Sequence, residues 1–383
     1  MRPHWSVLAL LGVALLLSVA VSPALAQDGN NTTTVVEDKD KATPGGDADP
    51  KTLEGDGWEV HPLSFKAHDT RPFPYATPGE GYTITVVKSD EVVLPFPNAG
   101  QPGIAAKYDG DYLMVDSNLD GKPDTTLKSA ISASPMQLSL PDGRKIPYAI
   151  RADKGNSGTW AIQRNCYATG TVGKTKLVFI DDNSNGLWND FGQDAVAIGN
   201  TTYASPLSDV IQAEGKLFRL KIDQAGNQFW TKPYEEAVGT LDMKKNFKAN
   251  CDLAWCVLAN GSTFLDLATA AKGGMPVPAG SWSLVIGELR RGKMTCRIRQ
   301  GKFESVAVEA GGTAAPEWGM EVKLEFTYEV REGQVHIDSG NVNVVGHAGE
   351  QYHTFKPQAI TPRVQVKDKA SGKDVNRGTM CLS

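Results

Sequence analysis

From Trp58 onward, no stretch of this 383-residue chain keeps apolar residues at i, i+3, i+4 and i+7 for long. The apolar residues come instead in short runs: YTITVV (82–87), YLMV (112–115), MQLSL (136–140), KIPYAIR (145–151), TWAIQ (159–163) and KLVFI (176–180). These are rich in β-branched and aromatic residues, and Gly, Pro, Asp and Asn separate them. Asp142-Gly143 is a hairpin signal. After about residue 239 the pattern continues through GTLDMK, TFLDLA, SWSLVIGEL, KMTCRIRQ, ESVAVEA, EVKLEFTYEV, QVHI, NVNVV and PRVQVKD, at intervals that suit a β-sandwich. VKLEFTYEV alternates apolar and polar residues, which predicts a strand with one buried face. Only SPLSDVIQAEG (205–215) reads as a helical turn or more. The expected fold is all-β, with a β-rich domain over 58–238 and a C-terminal β-sandwich, Ig-like or transthyretin-like, over 239–383.

The N terminus is of another kind. Residues 1–26 open with Arg2, continue with an apolar core from about Val7 to Val21, and end on Ala24-Leu25-Ala26. This is the pattern of a secretory signal peptide with its small-x-small cleavage site. No Cys follows the apolar run, which argues against a lipoprotein, and no later stretch is long and apolar enough to span a bilayer. Residues 27–57 are polar, charged and rich in Gly and Thr, the composition of a disordered tether. Asn30, Asn31, Asn200 and Asn260 each begin an N-x-Ser/Thr sequon. The expected location is secreted or periplasmic, at the cell surface. A formal net charge of −5 without a basic stripe sets nucleic acid aside as a partner. An oxidising compartment permits disulfides. Of the five cysteines, Cys251, Cys256, Cys296 and Cys381 fall after residue 250, and Cys251 and Cys256 are spaced for a short loop or hairpin bridge. They lack the second pair that a zinc site would need.

Two loops carry the specific chemistry. In YLMVDSNLDGKPD (112–124) a strand runs into Asp116, Asn118, Asp120 and Asp124 at positions 1, 3, 5 and 9, with Gly121 at position 6. In KLVFIDDNSNGLWND (176–190) the same template gives Asp181, Asn183, Asn185 and Asn189, with Gly186 at position 6. A tight reversal turns alternate side chains toward one centre, and position 6 is cheapest for Gly, which tolerates positive φ. Position 7, Lys122 or Leu187, offers its backbone carbonyl. Six to eight oxygen ligands of this kind suit calcium. Asp190 or Asp194 supplies the charge that loop two lacks at position 9. A third stretch, LFRLKIDQAGN, has Asp223 but no oxygen at position 3, and reads as a decayed copy or a turn. At position 12, where a helical EF-hand has Glu, the chain has Leu127 and Gly192.

Loop one resembles the D-x-D-x-D-G-x-x-D calcium loops set between strands in integrin-type β-propellers, with no propeller repeat elsewhere. Residues 108–200 as a whole resemble poorly characterised exported bacterial β-proteins carrying D-x-N-x-[DN]-G loops, a likeness that assigns no activity. VPAGSWSLVIG (277–287) resembles the strand entry of transthyretin-like and carboxypeptidase-regulatory-like sandwiches.

Catalytic motifs are missing: there is no G-x-S-x-G, no H-E-x-x-H and no Gly-rich phosphate loop. His347 and His353 lie six residues apart and read as surface histidines, and DSG (338–340) reads as a turn. The leading expectation is a non-catalytic calcium-binding protein with a structural or adhesive role, whose partner is a surface polymer, a glycan or another exported protein. Two alternatives stay open. One is a carbohydrate-binding module with Trp160, Trp188, Trp230 and Tyr234 as a stacking platform. The other is a hydrolase with dispersed catalytic residues.

Overall fold

The structure is a computed structural model that describes residues 53, 56–68, 73–79, 82–85, 91–94, 104–109, 112–116, 118, 120–128, 134–139, 145–154, 159–319, 322–331, 334–337, 341–357, 363–367, 371 and 374–379. Residues 1–26, expected to be a signal peptide, nearly all of residues 27–57, expected to be a tether, DSG (338–340) and Cys381 lie outside the described residues. The fold is all-β, built from several mostly antiparallel sheets. Among the described residues the one short helical element of note is the 3-10 turn Leu267–Thr269, capped by the Asp266 side chain. No helix among them is long and apolar enough to cross a membrane.

In the N-terminal part, a five-stranded sheet runs in the order Ser205–Pro206, Ala195–Ile198, Thr175–Ile180, Cys166–Val172, Ser64–Ala67. Within Thr175–Ile180, the stretch from Leu177 to Ile180 has no polar alternation because both its faces are covered. Leu177 and Phe179 pack into the main core, while Val178 and Ile180 join a second cluster with Ala195, Ala197 and Ala204. A strand buried on both faces reads as a continuous apolar run. A separate four-stranded sheet holds Glu91–Leu94, Ile104–Asp109, Tyr112–Val115 and Thr125–Lys128. There Leu113 and Val115 are buried, whereas Tyr112 is exposed, so one face meets solvent.

In the C-terminal part, Asp252–Asn260, Gly280–Arg291, Met294–Arg299 and Gln351–Lys356 are successive neighbours in the largest sheet. Its core gathers Leu241, Cys256, Leu258, Val277, Trp282, Ile298 and Trp318. A smaller cluster, in which Tyr203 stacks on Trp255 beside Val257, joins the two parts.

Three expectations need correction. Residues 205–215 form no helical turn: Val210–Ala213 pairs with Lys216–Ile222, and Glu214 and Gly215, both at positive φ, make the two-residue turn between them. That is the backbone twist a tight hairpin requires. Cys251 and Cys256 form no bridge, and among the described residues Cys166, Cys251, Cys256 and Cys296 are all free thiols. The strand Asp252–Asn260 separates the pair by most of an extended run, at about 3.3 Å per residue, beyond the ~7 Å that a disulfide spans. VKLEFTYEV is not one strand with a buried face: Lys323–Glu325 pairs with Asn343–Val345, Tyr328–Arg331 pairs with Gln334–Ile337 as a separate ribbon, and Leu324 and Tyr328 are exposed.

Candidate metal centre

Both sequence-defined loops connect neighbouring antiparallel strands. Loop one leaves Tyr112–Val115 and returns at Thr125–Lys128, with Val115 opposite Thr125. Loop two leaves Thr175–Ile180 and returns at Ala195–Ile198, with Ile180 opposite Ala195. The chain folds each one in the same way.

In loop one, Asp116 accepts from the amides of Asp120 (3.1 Å) and Gly121 (2.8 Å), one on each carboxylate oxygen. Asn118 Oδ1 accepts from Asp120 N, and Asp120 Oδ1 from Lys122 N, each at 2.9 Å. In loop two, Asp181 accepts from Asn185 N (3.1 Å) and Gly186 N (2.7 Å). Asn183 Oδ1 then accepts from Asn185 N (3.1 Å), and Asn185 Oδ1 from Leu187 N (2.8 Å). Position 1 therefore bonds 5 and 6, position 3 bonds 5, and position 5 bonds 7 in both. Gly121 and Gly186 share a φ of +86°, the left-handed value that only Gly reaches without strain.

The loops differ in depth, and their strands explain why. Loop one follows a strand with one wet face. Asp116 is buried, but Asn118, Asp120, Lys122 and Asp124 are exposed. Loop two follows a strand covered on both faces. Asp181 and Asp182 are buried, and Asn183, Asn185 and Asp190 are half-buried. Asn189 at position 9 is 8% exposed. Leu187 and Trp188 are buried too, and Trp188 packs over Gly226 in the turn that follows Asp223. That turn joins Lys216–Ile222 to Gln228–Pro233, and Asp223 accepts from Ala225 N and Asn227 Nδ2. It lacks the two-loop template.

Loop two holds four carboxylates. Asp181 also accepts from the Tyr148 hydroxyl. Burial pushes its carboxyl up to about 6, against the stabilising bonds from Tyr148, Gly186 and Asn185. Asp182 points away from the loop and forms a buried ion pair with Arg164 at 2.6 Å. Asp190 Oδ2 accepts from the carboxamides of Asn183 and Asn185, which fixes the direction of both amides. Asp194 comes last. A helical turn, with Asp194 N donating to Asp190 O (2.8 Å), brings its carboxylate back to Asp190 N, which donates to Oδ2 at 2.9 Å. Asp194 is 2% exposed, and its Oδ1 has no hydrogen-bond partner. Burial, then the charges of Asp181 and Asp190, hold its carboxyl well above the usual range.

An orphaned buried carboxylate oxygen beside other carboxylates fits a cation. Among the described residues, no three His, Cys, Asp or Glu side chains are grouped so as to hold a metal by themselves. A cation in either loop therefore needs carboxamide, backbone carbonyl or water oxygens as well, a donor set suited to calcium and not to zinc.

The other candidates fare differently. Trp160, Trp188 and Trp230 are buried in the core, so no stacking platform forms from them, and Tyr234 is half-buried with Arg219 over its ring. His347 lies exposed in a turn, while His353 sits half-buried in Gln351–Lys356. A cavity of about 120 Å³ lies away from both loops and is lined by Leu289, Met294, Tyr352 and Phe355 among others. Sequence reasoning missed the Asp182–Arg164 pair, because its partners are 18 residues apart and share no motif. Compared with protein-family models, curated proteins and solved structures, the chain matches none.

Proposed function

We propose that this chain is a non-catalytic calcium-binding β-protein, exported by its N-terminal segment, with a structural or adhesive role at the cell surface. One observation carries the reading: two hairpin loops 65 residues apart in sequence repeat one hydrogen-bond template on the same residue positions. Ordinary turns satisfy their backbone in many ways. Two loops that each gather oxygens at positions 1, 3 and 5 around a left-handed Gly point to a shared ligand. Loop one offers Asp116, Asn118, Asp120, the Lys122 carbonyl and Asp124. Loop two offers Asp181, Asn183, Asn185, the Leu187 carbonyl and Asn189.

Calcium then serves stability. Without a cation the carboxylates repel one another, and a bound divalent ion becomes the largest local charge. If calcium binds only the folded chain, a hundredfold excess over Kd adds about 2.7 kcal/mol. The test is a calorimetric titration of chelator-treated protein with calcium and magnesium. Two calcium sites are expected, with Asp116→Ala removing one and Leu127→Ala leaving both. Absence of heat in millimolar calcium would reduce the loops to turns.

A further inference from the structure

We infer that the loop-two cation takes Asp194 as its closing ligand and, through it, tightens the contact between loop two and the hairpin turn at residues 260–264 of the C-terminal part. This rests on the reading that loop two holds calcium, and it adds a ligand from outside the nine-residue template and a consequence at a distance.

The ligand follows from the loop's shape. The template has no carboxylate at position 12, where Gly192 stands. The turn over 191–193 delays the acid by two residues and returns it as Asp194, at the entry to Ala195–Ile198. One oxygen of Asp194 caps the amide of Asp190, and the other, fully buried, has no protein partner. Burying a carboxylate oxygen with no partner is costly, and a cation removes that cost.

The consequence follows from what Asp194 is bonded to. Its carbonyl accepts from Leu207 N at 2.6 Å, and Gly192 N donates to Leu207 O at 2.9 Å. Leu207 is fully buried and is followed by Ser208 and Asp209, both bonded to the C-terminal part. Ser208 Oγ accepts from Phe264 N (2.8 Å). The Asp209 carboxylate accepts from Ser262 Oγ and Thr263 Oγ1, each at 2.6 Å. Asp209 N in turn donates to Ser262 O, and the Phe264 ring lies against Gly192. Loop two and the 260–264 turn thus share one short polar strip, with Leu207–Asp209 between them. A ligand that orders one end of it favours the other, and the coupling is reciprocal.

Amide hydrogen exchange on the full chain, with and without calcium, tests this beside calcium calorimetry. Calcium should slow exchange at Phe264 at least tenfold in the native chain. Asp194→Asn should abolish one of the two calcium sites and make exchange at Phe264 indifferent to calcium. Ser262→Ala, which leaves loop two intact, should weaken the loop-two site several-fold. A loop-two site of unchanged affinity in Asp194→Asn would overturn the ligand assignment. Calcium bound at both loops with no change at residues 262–264 of the native chain would overturn the coupling and leave the calcium reading standing. Calcium binding at loop one alone would overturn the coupling together with the loop-two half of that reading.

Discussion

Replacing Arg164 by Leu should unfold the N-terminal part more readily than any surface change. Arg164 and Asp182 are 5% and 0% exposed at their side chains and lie 2.6 Å apart. Arg164 also donates to Thr77 Oγ1 and covers the Phe73 ring, while Gly79 N donates to Asp182. Two unit charges about 4 Å apart at an effective dielectric of about 20 interact by about 4 kcal/mol. Removing one partner of a buried pair costs about 3–5 kcal/mol, since the other charge stays buried and alone. For a unit of this size that lowers Tm by about 6–20 °C. Urea denaturation followed by Trp fluorescence measures it as a fall in midpoint at constant slope. Adding Asp182→Asn removes the stranded charge, so the double variant should recover at least about 1 kcal/mol over Arg164→Leu alone. A single-variant loss below about 1 kcal/mol, or a double variant weaker than the single, would refute the argument.

Asp266 gives a pH prediction. Burial raises its carboxyl from the ordinary 3.8 to about 6, although Oδ1 accepts from Cys256 N and Ala268 N. A raised carboxyl stabilises the fold below about pH 4, and that stability is lost as pH rises through about 6, by about 3 kcal/mol. Asp266→Asn keeps both bonds on Oδ1 and should flatten the pH dependence of stability across that window; an unchanged slope would count against it. Gly121→Ala should cost about 1–2 kcal/mol, because φ is +86° while a Cβ there meets nothing within 4 Å, and Gly121→Asn should cost less. Equal denaturation midpoints for the three would show that the left-handed turn is not required. Peptide mapping without reductant should find Cys251 and Cys256 unlinked to each other, and a bridged peptide would contradict the extended strand between them.

Much of this was legible in the sequence. YLMV and QVHI match their strands residue for residue, and KLVFI and TWAIQ are each one residue short. Short runs of β-branched and aromatic residues, bounded by turn formers, leave the backbone few alternatives. The loop template was legible too, because it is local: position 1 bonds positions 5 and 6 whatever lies around it. Depth was not readable from the strands before each loop. YLMV is as apolar as LVFI, yet in the fold Tyr112 is exposed and its loop stays at the surface, whereas LVFI is covered on both faces and its loop lies deeper. What could not be read were partners brought together by the sheet order. Tyr148 reaches Asp181 from 33 residues away, and Gly79 reaches Asp182 from 103. The VKLEFTYEV alternation misled because period 2 specifies a strand's two faces, not whether a core lies against either. In 205–215 the helical reading lost to Glu214-Gly215, a two-residue turn whose first member is not one of the usual left-handed formers.

The most direct test is a structure of the chain grown in calcium, with anomalous difference density measured on crystals soaked in a lanthanide. Two peaks are expected, one among the oxygens of Asp116, Asn118, Asp120 and Asp124, the other among those of Asp181, Asn183, Asn185 and Asp194. Oxygen distances should be about 2.3–2.6 Å in the calcium form. Clear density for both loops with no cation in either would contradict the account.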